Sequence, residues 1–224
     1  MADSKADAVG VLGTGQVAQR LVGRLSELGY EVWVGARSAD SESLAPFAEI
    51  EGVRTGSFAD AAAASELLIN ATNGRNAVSA LSMAGADNLA GKPVIDVSND
   101  LEPVDGGFPR ATATVDNSIG QRLQNEFPDA LIVKSLNTMN NNVMVEPTLV
   151  PGDHVVFMSG DSALAKDRVA ALLQSFGWRP EQIVDLGGID SAVGPEMLMA
   201  LWLRVAVARG WDAPPFNWAI HSAG

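Results

Sequence analysis

The stretch from Ala8 to Ala18, AVGVLGTGQVA, limits what this chain can fold into more than any other part of it. A short apolar run meets two glycines and opens into an amphipathic helix, with Val17, Leu21, Leu25 and Leu28 at helical spacing and Gly29 placed to end it. Gly13, Gly15 and Ala18 fill the G-x-G-x-x-G/A pattern. In that pattern the first glycine makes a tight turn, the second lets backbone approach a pyrophosphate, and the third small residue permits close helix-sheet packing. The following helix aims its free N–H groups and positive dipole end at the phosphates, so no basic side chain is required. Glu31 to Val34 supplies the next strand. The local prediction is strand, phosphate-binding turn, helix, strand, with Gly13, Thr14, Gly15, Gln16 and Val17 as cofactor-binding residues.

A chain of 224 residues that is 47% hydrophobic can bury a full core, as one large domain or as one domain with an appendage. The formal charge of −12 disfavours nucleic-acid and anionic-membrane partners, which need clustered Lys and Arg. Without cysteine there is no disulfide framework and no thiolate chemistry, and His154 and His221 are too isolated for a metal site. Met1 to Asp7 reads as a short loose terminus rather than a signal peptide, so the expected location is the cytoplasm. Met197 to Val207 is the most apolar segment, too short for a bilayer and interrupted by Arg204, and is expected to be a buried helix.

After the second strand comes Gly35 to Ser38, where an NAD-binding unit usually carries an acid for the ribose 2′-OH. That acid is missing. Arg37, with the hydroxyls of Ser38 and Thr14, suits a 2′-phosphate instead, although Asp40 argues the other way. Leu44 to Ile50 suggests a short helix, Val53 to Thr55 a third strand and Phe58 to Ala64 a helix; Leu67 to Ala71 reads as a strand buried on both faces. A helix from Asn76 to Ala84, a strand from Pro93 to Val97, a helix from Ser118 to Phe127 and strands at Ala130–Leu136, His154–Met158 and Gln182–Leu186 follow, with a helix from Asp161 to Phe176 capped by Asp161. Regular alternation of strand and helix implies right-handed crossovers and an α/β, Rossmann-type, doubly wound and mostly parallel sheet. Residues 1–189 are assigned to this domain and 190–224 to a C-terminal helical appendage.

Ligands sit beyond the carboxyl ends of the strands in such sheets. That places Thr72, Asn73, Ser98 and Asn99 at the site, with the asparagine-rich run Asn137 to Asn142 beside them, though turns favour the same residue types for local reasons. Leu101 to Thr114 is read as a long irregular stretch of the kind that forms lids or binding loops. The last helix, from Pro195 to about Arg209, is apolar around nearly its whole circumference and needs cover on more than one face, for which a second subunit is the simplest provider. Trp211, Phe216 and Trp218 can pack on that helix or clasp the partner. A homodimer is therefore expected.

The chain resembles the NADPH-dependent coenzyme F420 reductases, also called F420-dependent NADP oxidoreductases, whose fold recurs in the reductase domain of the STEAP metalloreductases. The resemblance rests on Gly13 to Ala18, Val34 to Arg37, Val94 to Asn99, Asp129 to Thr138 and Val184 to Gly188. It implies NADP(H) as cofactor, 2′-phosphate contacts at Thr14 and Arg37, and a small-molecule redox co-substrate, coenzyme F420 or a flavin, stacked among Thr72, Asn73, Ser98, Asn99, Asn137 and Thr138. The chain departs from the family at Ala36, where a serine is common, in lacking a lysine shortly after Arg37, and at Asn99-Asp100 in place of Asn-Pro. The deazaflavin coenzyme has an anionic tail, for which Arg75 and Arg110 are the nearby cations. Hydride transfer between stacked rings needs positioning and no obligatory acid. A ketone or imine reductase would need a proton donor, with Lys134 and Asp100 as the strand-end candidates. A non-catalytic NADP(H) sensor is the rival from another class.

Overall fold

The apolar runs become strands whose alternate side chains feed two separate cores. The computed structural model describes residues 8–105, 107–116 and 118–223; the expected loose terminus, Met1 to Asp7, and Gly106 lie outside them. Strands β1 (Ala8–Leu12), β2 (Glu31–Ala36), β3 (Val53–Ser57), β4 (Leu67–Asn70) and β5 (Pro93–Asp96) are followed by a small ladder of β6 (Leu101–Glu102) and β7 (Arg110–Ala111), then β8 (Leu131–Ser135), β9 (Val156–Ser159) and β10 (Ile183–Asp185). The main sheet has eight strands in the order β10-β9-β8-β5-β4-β1-β2-β3. Neighbours run parallel except β8 and β9, which are antiparallel. The eight sheet strands are those expected from the sequence. The β6–β7 ladder is a correction: part of the stretch read as irregular pairs Leu101 with Ala111 and Glu102 with Arg110.

The helices are α1 (Gln16–Glu27), α2 (Ala45–Ala48), α3 (Phe58–Ala64), α4 (Ala77–Ala84), α5 (Ala86–Leu89), α6 (Ile119–Glu126), α7 (Asn141–Val145), α8 (Ala163–Ser175) and α9 (Val193–Arg209). On one face of the sheet Val9, Val11, Ile69, Ile95 and Val133 pack with Leu21 and Leu25 of α1 and Val169 and Leu173 of α8. On the other, Leu12, Leu68, Val94 and Ile132 pack with Ala61 of α3, Leu81 of α4 and Leu123 of α6. A period of two with both faces apolar is what a strand covered by helices on each side requires. The cap of α8 is Ser162, whose hydroxyl accepts from Ala165 N at 3.2 Å, rather than Asp161. The Asp161 carboxylate instead accepts from Ile189 N at 2.9 Å, tying the chain after β10 to the loop after β9.

That tie matters because a 3-10 turn, Ile189–Ala192, runs without a break into α9. The combined helix of 21 residues, with mean hydropathy 1.3, is long and apolar enough to cross a membrane by length and composition. Met197 to Val207 alone is too short for a bilayer, and it is the preceding turn and first turn of α9 that bring the helix to spanning length. Pro195, Glu196, Met199, Leu203 and Ala206 of α9 are buried, whereas Met197, Leu201 and Val207 are exposed. The tail after α9 folds back on the helix. Trp202 stacks on Phe216 at 5.4 Å and meets Trp211 edge-on at 6.4 Å. Trp218 donates its indole N–H to Thr138 O at 3.2 Å, and its carbonyl accepts from Val155 N at 2.8 Å.

Candidate functional site

The strand order reverses between β1 and β4, and a cleft of about 330 Å³ opens at their carboxyl ends. Gly13 sits there with φ +122°, and a Cβ on it would lie 2.8 Å from the Ala71 carbonyl oxygen, so only glycine fits. Gly15 ends the turn in extended conformation as the N-cap of α1, and a Cβ there would meet nothing within 4 Å. The turn therefore leaves open space in front of the first amides of α1, the arrangement that receives a pyrophosphate.

Arg37 lines the same cleft, exposed and with no carboxylate within ion-pair distance among the described residues. Thr14 lines it as well, and donates its hydroxyl to Ser43 Oγ at 3.0 Å; Ser43 is in turn 2.9 Å from Ser41 Oγ. A guanidinium and a hydroxyl on one cleft wall, the hydroxyl held by a linked pair of serines, are suitable chemistry for a phosphate monoester. Ser38 does not join the cleft wall: its hydroxyl accepts from Asp40 N at 3.4 Å and stays exposed.

A second cleft, also about 330 Å³, continues from the first and shares Ala71, Thr72 and Asn73 with it. Gln16 and Val17 from the start of α1 and Ser98 and Asn99 after β5 line this second cleft. Local bonds hold the loops in place. Thr72 donates to Asn70 Oδ1 at 2.7 Å, Asn73 Oδ1 accepts from Arg75 N at 3.0 Å, and Ser98 donates to Asp96 Oδ1 at 2.7 Å. Asn137 lies below the wall, 1% exposed, and exchanges two hydrogen bonds with Asn99: Asn99 Nδ2 to Asn137 O at 2.8 Å and Asn137 Nδ2 to Asn99 Oδ1 at 3.0 Å. Leu136 just before it has φ +63°, a conformation costly for a branched residue, which turns the chain sharply out of β8. Asn137 thus positions Asn99, and Asn140 and Asn141 of the same run reach the cleft.

Beneath these loops lies a buried ionic cluster. Lys134 of β8 is wholly buried; its ammonium is 2.8 Å from Asp96 Oδ2 and 3.3 Å from Glu196 Oε1, and it also donates to the Ser98 carbonyl. Glu196 of α9 accepts from Ile119 N at 2.8 Å, Gly120 N at 3.0 Å and Ser118 Oγ at 3.2 Å, capping α6. The cation and the positive end of α6 balance two carboxylates that burial would otherwise make costly. Through Glu196 the cluster fixes α9, whose Met199, Trp202 and Leu203 form the far wall of the second cleft together with Trp211.

Residues 8–100 match the family model of coenzyme F420-dependent NADP oxidoreductases. A solved structure from Arthrobacter sp. FB24, provisionally named as an F420-dependent NADP-reductase, is 40% identical over 96% of this chain and 99% of that one, with a TM-score of 0.86. The chain belongs to the F420-dependent NADP oxidoreductase family. Rat metalloreductase STEAP3 is 29% identical to this family member over 84% of the chain, which spans only 35% of the length of that relative. An imine reductase from Pseudomonas sp. shares the fold alone, with 21% identity and a TM-score of 0.65 over 91% of this chain and 63% of that one.

In this F420-dependent NADP oxidoreductase family member, sequence reading missed Ser43, which no motif marks, and the wall supplied by Met139, Met144, Met199, Trp202 and Trp211. Apolar residues of α9 carry the same pattern whether they face a core or a ligand. Arg75 and Arg110, the cations suggested for an acceptor tail, are already engaged. Arg75 is 3.3 Å from Asp100 Oδ1 and 3.5 Å from Glu102 Oε1, and Arg110 pairs with Glu102, whose carboxyl these two guanidiniums hold below its usual range.

Proposed function

We propose that the protein transfers a hydride between NADP(H) and a planar flavin or 5-deazaflavin acceptor such as coenzyme F420. One observation carries this: the second cleft is lined by amides, hydroxyls, thioethers, aliphatic groups and indole rings, with no titratable side chain on its wall among the described residues. Carbonyl or imine reduction calls for a proton donor beside the new alcohol or amine. The two candidates are committed elsewhere, Lys134 to the buried cluster and Asp100 to Arg75, and neither lines the cleft. Bound NADPH would supply the hydride. The chain's part is to hold two ligands in register: Gly13 and Gly15 admit the pyrophosphate, Arg37, Thr14 and Ser43 meet the 2′-phosphate, and Thr72 and Asn73, present on both walls, border the place where the two rings meet. Trp202, Met144 and Met199 exclude water from the acceptor side.

Steady-state oxidation of NADPH against riboflavin, FMN, coenzyme F420 and a panel of ketones and cyclic imines tests the proposal. Flavin or deazaflavin should turn over faster than every carbonyl or imine. Carbonyl or imine turnover without flavin reduction supports the reductase alternative, and nucleotide binding with no turnover at all supports a sensor. Asn137→Ala should act through Asn99, raising the acceptor KM about fivefold with kcat nearly constant, the size of one lost neutral hydrogen bond. A fall in kcat at constant KM would contradict that role.

The exposed Met197, Leu201 and Val207 support a homodimer built on α9. Trp202 of the same helix stacks on Phe216 and walls the cleft, so the dimer is to be probed at a residue that does neither. Leu201, 52% exposed, is such a residue. Leu201→Glu should give monomers in sedimentation at micromolar concentration with folding intact, whereas a wild-type monomer under those conditions would refute the dimer.

A further inference from the structure

Behind Trp202 and Trp211 a side pocket of about 140 Å³ adjoins the acceptor cleft, the two sharing Gln16, Asn140, Trp202 and Trp211. It forms because Gly210, with φ +92°, turns the chain at the end of α9 and brings Pro214 to Phe216 back over the helix. Its wall carries one charged side chain among the described residues, Arg209. That guanidinium lies over the Phe216 ring at 5.5 Å from the centroid and donates to Pro214 O at 3.4 Å. No carboxylate among the described residues is within ion-pair distance of it. The contrast with Arg75 and Arg110 is direct, since both of those are taken by Asp100 and Glu102.

We propose that Arg209 binds the phosphate on the side chain of the acceptor, whose ring lies in the adjoining cleft. The inference rests on the proposed reduction of a flavin-type ring and adds the tail subsite that the second cleft itself lacks. An arginine held by an aromatic face keeps its outer N–H groups for paired bonds to phosphate oxygens. The phosphate of the cofactor has its own guanidinium, Arg37, in the first cleft, so the two phosphate sites are separate. The ligand class is a phosphorylated flavin or deazaflavin, selected over the same ring without its phosphate.

The test compares FMN with riboflavin, which carry the same ring, at saturating NADPH. The full-length wild type should favour FMN by about tenfold in kcat/KM, through KM, with the preference shrinking as salt is added. Arg209→Gln should bring the FMN to riboflavin ratio to about one, and Arg209→Lys should restore part of it. A wild-type ratio near one, or a ratio that survives Arg209→Gln, overturns the tail site. So does an equal rise in the KM for NADPH, which would make the phosphate the cofactor's own. Because a ratio is read, a general loss of activity in the variant does not imitate the expected result. Reduction of neither flavin nor coenzyme F420 by the wild type overturns the parent proposal together with this one, whereas riboflavin turnover without a preference for FMN overturns the tail site alone.

Discussion

Lys134→Met should lower the folding free energy by about 3–5 kcal/mol, a large part of what a domain of this kind possesses. The lysine is wholly buried between Asp96 and Glu196, themselves buried, and its removal takes the cation from both carboxylates, leaving Glu196 with the α6 N-terminus and the Ser118 hydroxyl and Asp96 with the Asn70 amide and the N–H and hydroxyl of Ser98. Urea unfolding gives the number from the shift in midpoint at constant m-value. A loss under 1 kcal/mol at neutral pH would mean that the cluster relaxes or hydrates on substitution and does not fix α9.

Arg37→Ala should weaken NADPH binding by about 1.5–3 kcal/mol, roughly tenfold to a hundredfold or more, and change NADH binding by less than about twofold. Arg37 stands in the first cleft with no competing carboxylate within ion-pair distance among the described residues, and Thr14 and Ser43 add hydroxyls that are already linked to each other. The two nucleotides differ only at the group this corner is suited to hold. Calorimetric titration of both into wild type and variant is the measurement; equal losses would move Arg37 out of the 2′-phosphate site.

Much of this fold was legible because its signals are local. A glycine-rich turn between an apolar run and an amphipathic helix, and strands apolar on both faces, identified all eight sheet strands and set the ligand beyond their carboxyl ends, whereas the strand order that opens the crevice at β1 and β4 is a matter of long-range pairing. What escaped depends on contacts between distant parts of the chain. Lys134 stands out in the sequence as one of two candidate proton donors, yet nothing near it announces Glu196 as its partner. Asp161 has the chemistry of a helix cap, but Ser162 sits at the position whose hydroxyl reaches Ala165 N. The β6–β7 ladder has two residues per strand, too few for an alternation to be seen. The second cleft takes Met199, Trp202, Leu203 and Trp211 of its wall from α9 and the tail, and an indole there has the same sequence signature as one in a core. Asn137 was counted among residues facing the ligand, whereas its pairing with Asn99 follows from the left-handed turn at Leu136.

Direct hydride transfer between NADP(H) and a flavin-type ring is tested with 5-deazariboflavin, because hydrogen delivered to its ring carbon does not exchange with water. Anaerobic reaction with NADPH stereospecifically deuterated at nicotinamide C4, using each epimer in turn, should place deuterium at C5 of the product with one epimer only, in single turnovers faster than with any ketone or imine. Product without deuterium from either epimer, or carbonyl turnover with the deazaflavin untouched, would contradict the account.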